Sequence, residues 1–232
     1  MIKTYKHIFF DLDHTLWDFE RNAEETKREM FELLHLKDRG IESYEVFREK
    51  YVNINQALWA LYRVDKIEKE VLNFRRFYDT LCLFGIDDPD LGKTMASAFI
   101  IGITTKTYLF PYTCELLEYL FPKYPLYIIT NGFEEVQYGK LANSDLRKYF
   151  TQIFTSEAAR SKKPDAEIFR FALRKAGAEA SESLMIGDDL DVDIGGARAV
   201  GIDQIFVNHE RVVHNEQVTM EVFTLQEITK LL

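Results

Sequence analysis

Five short runs dominated by apolar side chains divide the chain: His7–Phe10, Leu126–Ile129, Gln152–Phe154, Leu184–Ile186 and Gln204–Val207. They are rich in β-branched and aromatic residues, and their apolarity is continuous rather than alternating. That pattern predicts strands buried on both faces, as in a parallel sheet. Between the later runs the apolar positions take a helical period. Ala166–Ala176 puts Ile168, Phe169, Ala172 and Leu173 on one face and meets a stop at Gly177. Tyr112–Phe121 and Asp193–Val200 read the same way, the second ending at Gly201. Strands alternating with helices predict an α/β fold with a Rossmann-like, doubly wound, mainly parallel sheet.

The segment from Asp18 to Thr107 breaks this rhythm. It holds no parallel-strand run and reads instead as helices over Ala23–Leu34, Tyr44–Tyr62, Lys66–Leu83 and Leu91–Ile103. Breaks fall at Lys37–Gly40, Val64–Asp65 and Gly85–Pro89. Residues 18–107 are therefore expected to form a helical insertion after the first strand, with 1–17 and 108–232 forming the core. The aromatics Phe47, Tyr51, Trp59, Tyr62, Phe74, Phe77 and Tyr78 fall at helical spacing and read mostly as the core of that insertion.

Composition narrows the function classes. With 232 residues, 47% of them hydrophobic, and with 18 Phe and 12 Tyr, the chain has bulk for a packed core, which argues against disorder. A formal net charge of −9 disfavours a general nucleic-acid polymer binder, which needs a basic footprint. It leaves room for a small phosphorylated substrate held by a cation and a lysine. Two cysteines, Cys82 and Cys114, make no CxxC pair, so a disulfide framework is not expected. No apolar run approaches the about 20 residues that span a bilayer. Met1–Lys6 leads into the first strand without the apolar stretch of a signal sequence. The expectation is a cytoplasmic location.

The candidate chemistry sits where the strands end. Asp11 and Asp13 follow the first apolar run, and ionised Asp is costly to bury without a partner. Thr130-Asn131-Gly132 follows the second, Ser161-Lys162-Lys163-Pro164-Asp165 lies beyond the third, and Gly187-Asp188-Asp189-Leu190-Asp191-Val192-Asp193 follows the fourth. Ligands of open α/β sheets bind outside the carboxyl ends of the strands, so these four elements are expected to converge. A carboxylate can attack phosphorus and split hydrolysis into two steps, a role assigned to Asp11. Asp13 is placed to protonate the leaving oxygen and then activate water. Mg2+ needs few protein carboxylates, and Asp11 and Asp188 are the expected side-chain ligands. The Thr130 hydroxyl, a backbone N–H near Asn131 and the Lys163 ammonium are expected to hold the phosphate oxygens.

These four ordered motifs, Asp11-Leu12-Asp13-His14-Thr15, Thr130-Asn131-Gly132, Lys163-Pro164, and Gly187-Asp188 with Asp193, resemble those of the haloacid-dehalogenase-like (HAD) phosphohydrolases. The resemblance spans nearly the whole chain. It implies a Rossmann-like core with a helical cap inserted after the first motif. It also implies Mg2+ held by the Asp11 carboxylate, the Asp13 backbone carbonyl and the Asp188 carboxylate, with Asp193 orienting the lysine or a metal-bound water. The stretch Thr130–Gln137, then Lys140-Leu141, Leu146-Arg147, Tyr149-Phe150, Ser156-Glu157 and Lys163-Pro164-Asp165, is similar to the YjjG/YfnB-type pyrimidine 5′-nucleotidases, which act on nucleoside 5′-monophosphates. Ala158-Ala159-Arg160-Ser161-Lys162 departs from the Gly-Val-containing approach usual before the lysine.

Plainer readings stand beside these. A DxD after a strand can be a turn, Asn-Gly favours turns, and acids are favoured at helix N-termini. Lys163 holds the position before Pro164, and Lys162 reads as surface. Asp189, Asp191 and His14 are left without an assigned role, Trp17 and Phe19 are hinge or cap-contact candidates, and His209 with His214 reads as loop rather than a zinc site. The expected activity is a Mg2+-dependent phosphomonoesterase acting through an aspartyl-phosphate, with a small phosphorylated metabolite, a nucleoside monophosphate first, as partner. Alternatives are a sugar-phosphate phosphatase or phosphomutase, and a phospho-accepting receiver switch. The long insertion and Asp13 argue against the receiver, and Asp13 also argues against a dehalogenase, which in this group lacks that acid.

Overall fold

The computed structural model describes residues 4–232; Met1–Lys3, part of the stretch read above as lacking a signal sequence, lie outside them. Six strands, β1 (His7–Phe10), β2 (Leu126–Thr130), β3 (Phe150–Thr155), β4 (Ser183–Gly187), β5 (Asp203–Val207) and β6 (Met220–Val222), form one sheet in the order β3-β2-β1-β4-β5-β6. Every pair is parallel. Ile8 lies opposite both Leu126 and Leu184, and Phe10 opposite Ile128 and Ile186, so β1 is flanked by the two strands that begin the sheet's halves. All residues of β2 and β4 are buried, which is why their apolarity runs unbroken. The short β6 escaped the sequence pattern because it offers only Met220 and Val222, with Glu221 between them facing out.

The described chain divides into two compact units. The sheet belongs to the unit made of the chain up to Glu20 together with Thr107–Leu232. One face of the sheet packs Phe9, Tyr127, Phe154 and Met185 against Ile168, Phe169, Ala172 and Ala197. The Phe9 and Tyr127 rings stack with centres 4.9 Å apart. The second unit, Arg21–Lys106, is built from α1 (Phe19–Leu33, which starts just before it), α2 (Tyr44–Arg63), α3 (Lys69–Cys82) and α4 (Pro89–Thr104). Ser43 and Asp88 cap α2 and α4 by accepting from the Val46 and Leu91 amides. A file of rings, Phe31, Phe47, Tyr51, Phe77 and Phe99, runs through its interior with centres 5.3 to 6.1 Å apart. Phe47, Tyr51, Tyr62 and Phe77 are buried as expected, while Trp59, Phe74 and Tyr78 are half-buried.

The sheet unit carries α5 (Thr113–Leu120), α6 (Glu134–Asn143), α7 (Ser156–Ala159), α8 (Ala166–Ala176), α9 (Gly196–Ala199) and α10 (Leu225–Ile228). Two expectations need correction. The helix expected over Asp193–Val200 begins earlier, as a wide π-type turn over Leu190–Gly195 that runs on into α9. The Asp189 carboxylate starts that turn by accepting from the Asp191 and Val192 amides. Helix α6 was not expected, because its buried face includes the polar side chains Gln137 and Lys140 beside Val136 and Leu141, which hides the apolar period. No helix among the described residues is long and apolar enough to cross a membrane.

Candidate active site

The strand order reverses on either side of β1, and ligands of such sheets sit at that reversal. Asp11 leaves β1 there, its amide donating to Ile186 O at 2.9 Å and so tying it to the end of β4. The Lys163 ammonium reaches Asp11 Oδ1 at 2.5 Å and Asp193 Oδ1 at 2.6 Å. All three side chains are at most 9% exposed, so the lysine is a buried bridge and not a solvated loop charge. Thr15 Oγ1 lies 2.7 Å from Asp188 Oδ1 and 3.4 Å from Asp11 Oδ2, which links the first and fourth motifs directly. Gly187 makes room for this packing: a Cβ there would lie 2.5 Å from Asp193 Oδ2. The π-type turn explains the spacing, since it carries Asp193 inward while Asp191 stays exposed.

Asp11, Asp188 and Asp193 offer oxygen atoms within 4.8 Å of one another. One ammonium against three carboxylates leaves two formal negative charges in excess when all are ionised. The Asp11 carboxyl is accordingly pushed well above the usual range by burial, then by the charges of Asp193 and Asp188, against the pull of Lys163. Asp188 is pushed up to about 7 by burial and by Asp193. Burial alone lowers Lys163, but Asp11 and Asp193 outweigh it and hold the ammonium charged. An all-oxygen cluster that resists full ionisation suits a hard divalent cation, whose charge cancels the excess. The donor set of Asp11, Asp188 and Asp193 therefore fits Mg2+, and Asp188 is the one of the three that Lys163 does not reach.

Around this cluster stand the phosphate-binding candidates. Thr130 ends β2, and its hydroxyl accepts from Gly132 N at 3.0 Å and from Gln137 Nε2 at 2.7 Å. A hydroxyl has two lone pairs and one proton, so both acceptor sites are used and the proton remains to be donated. The Asn131 side chain is spent otherwise: its Nδ2 donates to Lys163 O at 2.9 Å and its Oδ1 accepts from Lys163 N at 2.8 Å. It pins the lysine loop in a two-bond grip, which leaves its backbone for any phosphate contact. Gly132 is required by close approach, since a Cβ there would lie 2.0 Å from Gln137 Nε2.

Asp13 is set apart from the three clustered acids. Its Oδ1 accepts from Lys140 Nζ at 2.7 Å and its Oδ2 from Gln137 Nε2 at 2.9 Å. Burial raises its pKa, but Lys140 and Gln137 outweigh that and hold the carboxyl below its ordinary value. Lys140 and Gln137 carry no role in the sequence reading, although both fall in the stretch that resembles the nucleotidases; they share the buried face of α6 with Val136 and Leu141. His14 takes a left-handed backbone (φ 68°) with its ring 5.1 Å from Phe19. It borders a cavity of about 330 Å3 beside Asp188, walled by Phe110 and His209, whose rings stack 4.0 Å apart at 6°. Burial lowers the His209 pKa, and its Nε2 lies 3.3 Å from Thr15 O. His214 instead neighbours Glu221 and Phe206.

The comparisons with known proteins agree with this geometry. The family model for haloacid dehalogenase-like hydrolases matches residues 5–201. The pyrimidine 5′-nucleotidase PynA of Streptococcus pneumoniae is 33% identical over 228 residues, covering 97% of this chain and 93% of its own. A glyceraldehyde 3-phosphate phosphatase of Methanothermobacter thermautotrophicus is 29% identical, covering 97% of each. The crystal structure of the HAD-hydrolase YfnB of Bacillus subtilis bound to magnesium superposes with a TM-score of 0.88 at 28% identity, covering 99% of both chains. Sequence, fold and site together establish that this chain is an enzyme of the haloacid dehalogenase-like hydrolase family.

Proposed function

We propose that this enzyme is a Mg2+-dependent phosphomonoesterase that works through an aspartyl-phosphate on Asp11 and acts on nucleoside 5′-monophosphates. The observation that carries the reading is the buried bridge from Asp11 through Lys163 to Asp193, with Asp188 beside it. In this account an Asp11 oxygen attacks phosphorus, and the P–O bond to the leaving group breaks. The Lys163 ammonium, the Thr130 proton and a backbone N–H at Asn131 hold the non-bridging oxygens. The Asp11 and Asp188 carboxylates and the Asp13 carbonyl would hold Mg2+, which would supply positive charge against the phosphate and favour the ionised Asp11. Asp193 keeps Lys163 in place.

Asp13 carries the protons. The incoming phosphate brings negative charge that pushes its carboxyl back up. It then gives a proton to the departing oxygen. Water next attacks phosphorus of the aspartyl-phosphate, Asp13 takes the proton from that water, and inorganic phosphate leaves with Asp11 restored. The helical unit stands where the resemblance implies a cap domain.

Two relatives favour different substrates. PynA is a pyrimidine nucleotidase, and the similarity runs over nearly all of both chains. The archaeal relative acts on a sugar phosphate, which keeps a sugar-phosphate phosphatase as the second reading. A panel of nucleoside monophosphates and sugar phosphates, assayed for phosphate release with Mg2+ and with chelator, separates them. Metal-dependent turnover led by pyrimidine nucleoside monophosphates is expected. Equal weak activity on all esters would overturn the nucleotide assignment, and undiminished activity with chelator would overturn the metal.

A further inference from the structure

The Asp13 carboxylate is gripped at both of its oxygens by α6, and nothing in the phosphoryl-transfer chemistry itself demands that grip. Lys140 holds Oδ1 at 2.7 Å and Gln137 holds Oδ2 at 2.9 Å. The two residues are three apart on the helix and therefore share a face. Lys140 is itself confined: its side chain is 3% exposed, and its ammonium lies 4.3 Å from the centre of the Trp17 ring and 5.1 Å from that of Phe19. Trp17 is fully buried and donates from Nε1 to Ser144 Oγ at 3.2 Å. Gln137 is fully buried too, and its amide nitrogen also reaches the Thr130 hydroxyl at 2.7 Å. One amide nitrogen thus ties the proton-carrying acid to the phosphate-binding threonine.

We propose that Lys140 and Gln137 are positioning residues that fix the Asp13 carboxyl toward the ester oxygen of the bound phosphate. A carboxylate on a short side chain can turn about two torsions. Two donors from one rigid helix, one at each oxygen, remove both freedoms and hold the group relative to Thr130, hence relative to the phosphorus. Burying a lysine and a glutamine on a helix face costs stability unless they are paired. Among the described residues, Lys140 gains the Asp13 carboxylate and the Trp17 and Phe19 rings. Among the described residues Gln137 Oε1 has no hydrogen-bond partner, so the side chain is oriented by what its nitrogen does, not its oxygen.

This inference rests on the reading of Asp13 as the proton carrier, and its test separates the two. Enzyme in excess over substrate is mixed with p-nitrophenyl phosphate or with a nucleoside 5′-monophosphate, and release of the leaving group is followed through a single turnover. Nitrophenolate leaves without a proton, whereas the nucleoside alkoxide needs one. Asp13→Asn is the reference: it should slow nucleoside release at least about a hundredfold more than nitrophenolate release, the lower range of general-acid catalysis. Lys140→Met and Gln137→Leu should each shift the same ratio at least about tenfold in the same direction. Each variant's melting temperature is recorded; if Lys140→Met does not fold, Gln137→Leu, which leaves the ion pair intact, decides. Equal slowing of both esters, or no slowing, would overturn the positioning role. If Asp13→Asn itself failed to discriminate, the proton-carrier reading would fall instead.

Discussion

Lys163→Met strands two buried carboxylates, and its cost follows directly from the structure. The change keeps the length of the side chain and removes its charge. It leaves Asp11 and Asp193, 9% and 2% exposed, with no ammonium between them. Removing one partner of a buried ion pair costs about 3–5 kcal/mol, because the remaining charge is stranded. The cost should depend on pH with a definite sign. In the variant Asp11, already raised by burial and by Asp193 and Asp188, loses the opposing pull of Lys163, so its folded-state pKa lies above the about 3.9 of an unfolded Asp. The folded variant therefore binds more protons than its unfolded chain over that interval, and its stability rises as pH falls through it. Urea unfolding of wild type and variant in metal-free buffer is expected to show the full loss at pH 8 and a smaller one at pH 5. A loss below about 1 kcal/mol at pH 8, or one that does not shrink on acidification, would refute the claim that Lys163 neutralises a buried pair.

Other consequences are as specific. Because Asp188 is pushed up to about 7, Mg2+ must displace a proton below that pH. Its apparent affinity should fall by about tenfold or more per pH unit from 7 downward, the raised Asp11 carboxyl adding to the effect, with proton release visible by calorimetry in buffers of different ionisation heat. Affinity that stays flat between pH 5.5 and 7 would contradict this. Gly187→Ala puts a methyl 2.5 Å from Asp193 Oδ2, so it should cost about 1–3 kcal/mol in thermal or urea unfolding and lower turnover by moving the lysine bridge. A fully stable and active Gly187→Ala variant would show that Asp193 has room to spare.

Much of this molecule is legible in the sequence, for identifiable reasons. Strands β1, β2, β4 and β5 bury both faces, so Ile8, Phe9, Ile128, Ile186 and Ile205 stand in unbroken apolar runs. Helix α8 is visible because Ile168, Phe169 and Ala172 fall on one buried face. The motif residues after those strands are short polar groups in apolar context, which draws the eye to Asp11, Thr130 and Asp188. Helix α6 was invisible because Gln137 and Lys140 face inward, so the helix that grips Asp13 looks like a polar loop. Asp193 is marked less firmly than Asp188 in sequence, because Asp189 and Asp191 offer competing carboxylates. Only the five-residue spacing of the π-type turn shows that it turns inward to Lys163, that Asp189 serves as its cap, and that Asp191 faces out. Asn131, too, reads as a turn residue until its amide is seen clasping the backbone of Lys163.

The proposed phosphoryl transfer requires Asp11 to carry the phosphoryl group. Acid quenching during turnover of a nucleoside monophosphate with Mg2+, followed by mass mapping of peptides, tests that most directly. One phosphoryl group on the peptide holding Asp11, lost on treatment with hydroxylamine and absent from Asp11→Asn, is the expected result. Steady phosphate release by an Asp11→Asn variant, or turnover with no label at that aspartate at any quench time, would contradict it.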